Sequence, residues 1–149
     1  MAAAVVRDRP VPLGHLLRLT TPSGLYEHAL GATPRVANGM CVDDAARALV
    51  VVARMPGAST TVMLLAATYL EFLLDGQRAG GLMHNRRTAG RTWVDAPSAD
   101  DHWGRALWAF GTAAARLGDD ALAAAARQGA ARALAARSGH PRAMAYAAL

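Results

Sequence analysis

The chain has 149 residues, 53% of them hydrophobic and 18% charged, with a single cysteine and a formal charge of +5. This length and apolar share suit one packed domain and exclude a disordered chain, while the lone Cys41 excludes an intramolecular disulfide and fits a reducing, cytoplasmic setting. All sixteen basic residues are Arg, spread from Arg7 to Arg142 with only Arg86 and Arg87 adjacent, so they form no basic stripe and no nucleic-acid partner is expected.

Residues 1–40 read as an irregular lead-in. Turn formers such as Pro10, Pro12, Pro22, Gly24, Gly31 and Pro34 surround one short helical candidate, Leu13 to Leu19. The N-terminus carries no signal-peptide pattern and no apolar run reaches transmembrane length, so no membrane insertion is expected. Residues 41–149 read as helical. Asp43 to Met55 is apolar nearly all round, broken only by Arg47 and Arg54, which lie seven apart on one face; such a helix is buried. Cys41, between Met40 and Val42, reads as a small buried residue rather than a nucleophile.

Pro56-Gly57 ends that helix, Ser59 or Thr60 can cap the next, and Thr61, Thr68, Glu71 and Asp75 draw one polar stripe along Thr60 to Leu74. This second helix is amphipathic. Gly76 to Pro97 is longer than most helix connections, which points to function or to a small strand pairing. Asp100 to Leu117, with Trp103, Ala106, Leu107, Trp108, Ala109 and Phe110, is again apolar round almost the whole circumference. Asp119 caps Asp120 to Arg137, which keeps Arg127, Gln128 and Arg132 on a polar side. A further helix starts at Pro141 and runs to Leu149 in mid-pattern, so the C-terminus reads as cut.

Buried, amphipathic, buried, amphipathic and a new start is the order of helical hairpins with one member inside and one outside. The expected fold is all-α. A weak repeat supports it: Asp43-Asp44-x-x-Arg47-Ala48-Leu49 returns as Asp100-Asp101-x-x-x-Arg105-Ala106-Leu107, and Arg142-Ala143-Met144 opens the last helix in a comparable place. If inner-helix starts converge, the acidic pairs face a common cleft.

Two carboxylates across a cleft can protonate a leaving oxygen and activate water, so Asp43, Asp44, Asp100 and Asp101 are candidate acid and base for glycoside hydrolysis. The structural alternative is that each pair caps its helix or pairs with Arg47 and Arg105, as Asp119-Asp120 opens a helix with no site in view. Geometry separates the two. Acids facing each other at about 5–10 Å favour hydrolysis, and acids locked to arginine favour a structural role. His84, Asn85, Arg86, Trp93, His102 and Trp103, with Arg47 and Arg105, are the candidate substrate-binding residues, being polar and aromatic groups of the kind that grip sugar rings. His84, Asp100, Asp101 and His102 include metal-ligand types but lack a ligating spacing, and no phosphate loop or nucleophile elbow is present. No metal and no cofactor are expected. His28 reads as structural.

Gly24-Leu25-Tyr26-Glu27-His28-Ala29, Gly39 to Leu49, and Asp101-His102-Trp103-Gly104-Arg105-Ala106-Leu107-Trp108 together resemble the bacterial glycosyltransferase-associated helical domain, which is similar to the six-hairpin glycosidase superfamily. The family boxes read G-Y-C-x-D-D-N-A-R-A-L and D-x-x-G-R-A-L-W; Met40 stands for the usual Tyr and Ala45 for the usual Asn. The resemblance implies an (α/α)6 toroid in polysaccharide or glycoconjugate metabolism, with a carbohydrate ligand and a glycosyltransferase as partner. It carries over Asp43, Asp44, Arg47, Asp101, Gly104 and Arg105 as motif positions, with no assigned reaction. About two and a half of six hairpins fit in this length. A carbohydrate-active domain, a non-catalytic binding or scaffolding module, and a truncated half-domain that forms a homo-oligomer are the three functional expectations.

Overall fold

The structure is a computed structural model that describes residues 11–57 and 59–149. It is mainly helical, with six α-helices and three two-stranded antiparallel sheets. In chain order the helices are α1 (Gly14–Leu19), α2 (Val42–Ala53), α3 (Thr60–Asp75), α4 (Asp101–Arg116), α5 (Asp120–Ala133) and α6 (Pro141–Ala147). Among the described residues no helix is long and apolar enough to cross a membrane.

The lead-in is more ordered than its turn formers suggest. After α1, strands β1 (Thr20–Thr21) and β2 (Gly24–Leu25) pair across Pro22-Ser23, and β3 (Ala29–Leu30) and β4 (Thr33–Pro34) pair across Gly31-Ala32. The clustered turn residues therefore close two minimal hairpins. Thr20 Oγ1 lies 2.6 Å from the Tyr69 hydroxyl on α3, which ties this segment to the helical body. The first ten residues lie outside the described part. The long connection supplies the third sheet, in which β5 (Met40–Cys41) pairs with β6 (Arg86–Arg87).

Helices α2 and α4 are the inner members. Ala45, Ala46, Leu49 and Val52 of α2 and Trp103, Ala106, Ala109 and Phe110 of α4 are all buried, so neither helix presents a broad polar face. Helix α2 packs on both α3 and α4, and α4 on both α5 and α6, which leaves α2, α4 and α6 as an inner row with α3 and α5 outside. The outer helices bury one stripe each. In α5 it is made of small residues, Ala123, Ala126, Gly129 and Ala133, which lets the helix lie close to Phe110. Ser59 caps α3 by accepting from the Val62 amide, and Asp119 caps α5 by accepting from Leu122 at 2.9 Å.

Helix α5 stops at Ala133 rather than continuing to Arg137. The Ala133 carbonyl accepts the Trp103 indole N–H at 3.0 Å and the Ala136 amide in a turn, so it is not available to extend the helix. Gly81, at φ +80°, backs onto this turn; a Cβ there would sit 2.5 Å from the Ala136 nitrogen.

Gly104 marks the closest approach of α4 and α6. A Cβ at this position would run into the Ala143 carbonyl, which is backbone and cannot swing aside. Gly104→Ala is therefore expected to cost about 1–3 kcal/mol by pushing α6 off α4. Hydrogen exchange of the α6 amides, faster in the variant than in the parent, checks this.

Candidate functional site

The first amides of α2 are satisfied from outside the helix. Val42 N–H donates to the Asn85 carbonyl at 2.8 Å and Asp43 N–H to Asn85 Oδ1 at 3.2 Å. The pairing of β5 with β6 brings Asn85 there. Asp100, at the N-cap of α4, makes no side-chain cap. Neither acidic pair is spent on capping, and the carboxylates turn sideways to other groups.

Arg105 on α4 is the hub. Its side chain is 15% exposed, and its guanidinium donates to Asp43 Oδ1 at 2.5 Å and to the Tyr146 hydroxyl at 3.1 Å, while Asp101 Oδ2 lies 3.9 Å away. Arg142 reaches the same Asp101 oxygen at 2.5 Å, and His140 Nε2 lies 3.2 Å from Asp100 Oδ1. These contacts cross from α2 to α4 to α6. They draw the three inner-helix starts to one side and hold the carboxylates between cations.

Beside this network opens a polar cleft of about 690 Å³. Asp43, Asp100, Asp101 and His102 line it from the inner helices, and Asn85, Arg86 and Asp95 from the β6 segment. His140 and Arg142 form the wall at α6. The Asp95 carboxylate accepts the Asn85 and Arg86 amides at 2.6 and 2.9 Å, which fixes that wall. His102 is mostly buried, with Nε2 donating to the Met83 carbonyl at 2.9 Å.

Besides Arg105, which holds the network, and Asp44, four sequence candidates do not line the cleft. Trp103 is 1% exposed and belongs to the core. Trp93 stands outside the cleft lining, stacked on His84 at 5.4 Å and donating its indole N–H to Asp75 at 3.1 Å. His84 in turn donates to the Asp95 carbonyl at 2.7 Å, so both rings brace the β6 segment. Behind them the buried Arg87 guanidinium lies over Phe72 and Trp93, pairs with Asp75 at 2.8 Å and donates to the Ser23 carbonyl. Burial pulls this guanidinium below its ordinary value, against the pull of Asp75. The fourth, Arg47, is exposed and pairs with Asp44.

Asp44 therefore separates from Asp43. Its other oxygen accepts the Cys41 thiol at 3.1 Å, and Glu27 stands alongside, so that ligand-type atoms of Glu27, Cys41 and Asp44 lie within 4.8 Å of one another. Arg86 pairs with Glu27 at 2.6 Å and Arg47 with Asp44, which balances both carboxylate charges. Burial first, then the Asp44 charge, push the Cys41 thiol well above its ordinary range. Native Cys41 should accordingly react with iodoacetamide at pH 8 at least tenfold more slowly than in urea-unfolded chain. Because the unfolded thiol ionises while the folded one stays neutral, stability should fall as pH rises above about 8.5.

Asp95, Ser98, His140 and Arg142 are the polar cleft residues that were not among the sequence candidates. Arg142 had a signal, its place in the third repeat of the inner-helix start. Asp95 and His140 had none beyond polarity. Compared with known protein families and with curated proteins, the chain matches none of them.

Proposed function

We propose that this chain is a carbohydrate-recognition domain built from the first hairpins of an (α/α)6-type toroid, and that it holds a sugar of a polysaccharide or glycoconjugate in the inner-helix cleft without cleaving it. The observation that carries the reading is the pairing of Asp43 and Asp101 with Arg105 and Arg142 at the edge of an open polar cleft. An ion-paired carboxylate is an acceptor for hydroxyl groups and not a proton donor for a leaving oxygen. Asn85 keeps its amide NH₂ for a ligand while its oxygen holds α2, and Arg86 and Arg142 add exposed donors. Donors and acceptors interleaved over this width suit a polyhydroxylated ring. The row of inner helices with outer helices behind it supports the toroid, and the resemblance of the two boxes supplies the connection to a glycosyltransferase.

The test is a glycan array probed with the parent and two variants. Asp101→Asn, inside the cleft, should lose about tenfold or more in affinity for any glycan bound, since a charge-assisted hydrogen bond is worth about 1.5–3 kcal/mol. Glu71→Gln, exposed on the outer helix α3 and lining neither cavity, should bind as the parent does. Undiminished binding by Asp101→Asn would sink the reading.

A further inference from the structure

A second cavity lies on the other side of the α2 start, and its chemistry is opposite to that of the cleft. It is a groove of about 270 Å³ floored by Leu16 and Leu19 of α1, Leu25 of β2, and Ala48 and Val51 of α2. Tyr26, Glu27, Asp44 and Arg47 complete its lining. Two of these residues adjoin the cleft. Asp43 lines the cleft and the next residue, Asp44, lines the groove; Glu27 on the groove pairs with Arg86 on the cleft at 2.6 Å. The Glu27–Arg86 pair, exposed at Arg86 and mostly buried at Glu27, stands with Cys41 of β5 between the two spaces.

We infer that the ligand is an amphiphilic glycoconjugate, a sugar bearing a hydrocarbon aglycone, with the sugar in the cleft and the chain laid along the groove past the Glu27–Arg86 pair. The inference rests on the carbohydrate reading of the cleft. Scattered exposed leucines need no explanation, but here the apolar side chains form the walls of one concave slot that opens beside the polar cleft. A free sugar would leave the slot unused, and a plain hydrocarbon would have no use for the cleft. A slot of about 270 Å³ suits a short alkyl or prenyl chain. Each methylene buried there should tighten binding about fourfold.

Calorimetry with methyl and octyl glycosides of glucose, galactose, mannose and N-acetylglucosamine, kept below micelle formation, tests this on the whole chain. For at least one sugar the octyl glycoside should bind at least tenfold more tightly than the methyl glycoside, and Val51→Asp should remove that gain. Val51 is 48% exposed, so the variant should fold, and its melting temperature checks this. Equal affinity of octyl and methyl glycosides overturns the inference, as does a gain that survives in Val51→Asp. Binding of 1-octanol as tight as that of the octyl glycosides also overturns it, because the groove would then act without the cleft. So does a dimer in sedimentation that Val51→Asp dissociates, since a second copy would cover the slot. The two readings fail separately. If methyl glycosides bind in a manner that Arg142→Ala abolishes but octyl brings no gain, the aglycone is wrong and the cleft stands; if octyl binding depends on Val51 and not on Arg142, the cleft reading is wrong as well.

Discussion

Trp103→Ala is expected to destabilise the domain by about 3–5 kcal/mol, which lowers the melting temperature by roughly 6–20 °C for a chain of this size. The indole is 1% exposed within the main core cluster, so truncation leaves a large cavity beside the first turn of α4. It also removes the N–H that holds the Ala133 carbonyl at 3.0 Å, and with it the fastening between α4 and the end of α5. Thermal unfolding followed by circular dichroism measures the loss. A tryptophan that served as a sugar platform would be exposed and its removal would leave stability nearly unchanged. Trp103→Phe, which keeps most of the volume but not the N–H, should fall between the two.

Arg105→Ala is the second large effect, with an expected loss of about 3 kcal/mol. The guanidinium is mostly buried and serves Asp43 and Tyr146 at close range, so its removal leaves Asp43 without its cation while Asp101 keeps Arg142. Breaking such a network from one side costs more than the network is worth, because the remaining charges stay desolvated. This has a distinctive signature in a double-mutant cycle. Arg105→Ala combined with Asp43→Asn should be less destabilised than the sum of the single changes, by about 1 kcal/mol or more. Arg105→Lys should not restore the parent, since one ammonium cannot donate to Asp43 and the Tyr146 hydroxyl in the fork geometry that the guanidinium provides. Urea unfolding with unchanged m-values reads all of these.

Both residues show where the amino-acid pattern is readable and where it is not. The inner character of α2 and α4 follows from apolar residues round the whole helix, and no knowledge of partners is needed to see it. The cap at Asp119 is equally local, because its acceptor and donor are three residues apart. The use of Asp43 is not local. Its amide is capped by Asn85, 42 residues away, and its carboxylate is held by Arg105, 62 residues away. Adjacent aspartates at a helix start look alike in the chain, yet Asp43 and Asp44 end on different cavities because one step along a helix turns a side chain by about 100°. Tryptophans pose the same problem. Trp93 donates its indole N–H to Asp75 and Trp103 to the Ala133 carbonyl, while the N–H of the half-buried Trp108 meets no acceptor among the described residues, and composition carries no trace of that. The strand pairing of β5 with β6 spans two residues on each side, too short for any alternation to announce it.

The repeat is the exception, a distant relation that is legible. Arg47, Arg105 and Arg142 each stand near the start of an inner helix, and the latter two converge on Asp101. Arg47 instead binds Asp44 on its own helix. The recurrence therefore marks an architectural position, and each of its three copies sends a residue to the cleft, Asp43, Asp101 and Arg142.

Sugar binding in the cleft at the starts of α2, α4 and α6 is the proposal to be decided by two-dimensional ¹H–¹⁵N NMR of the assigned protein, titrated with a glycan selected on the array. The expected result is saturable shifts confined to the amides around Asp43, Asn85–Asp95, Asp100–His102 and His140–Arg142, with α3 and α5 silent. Shifts centred on the outer helices, or none at saturating glycan, would contradict it.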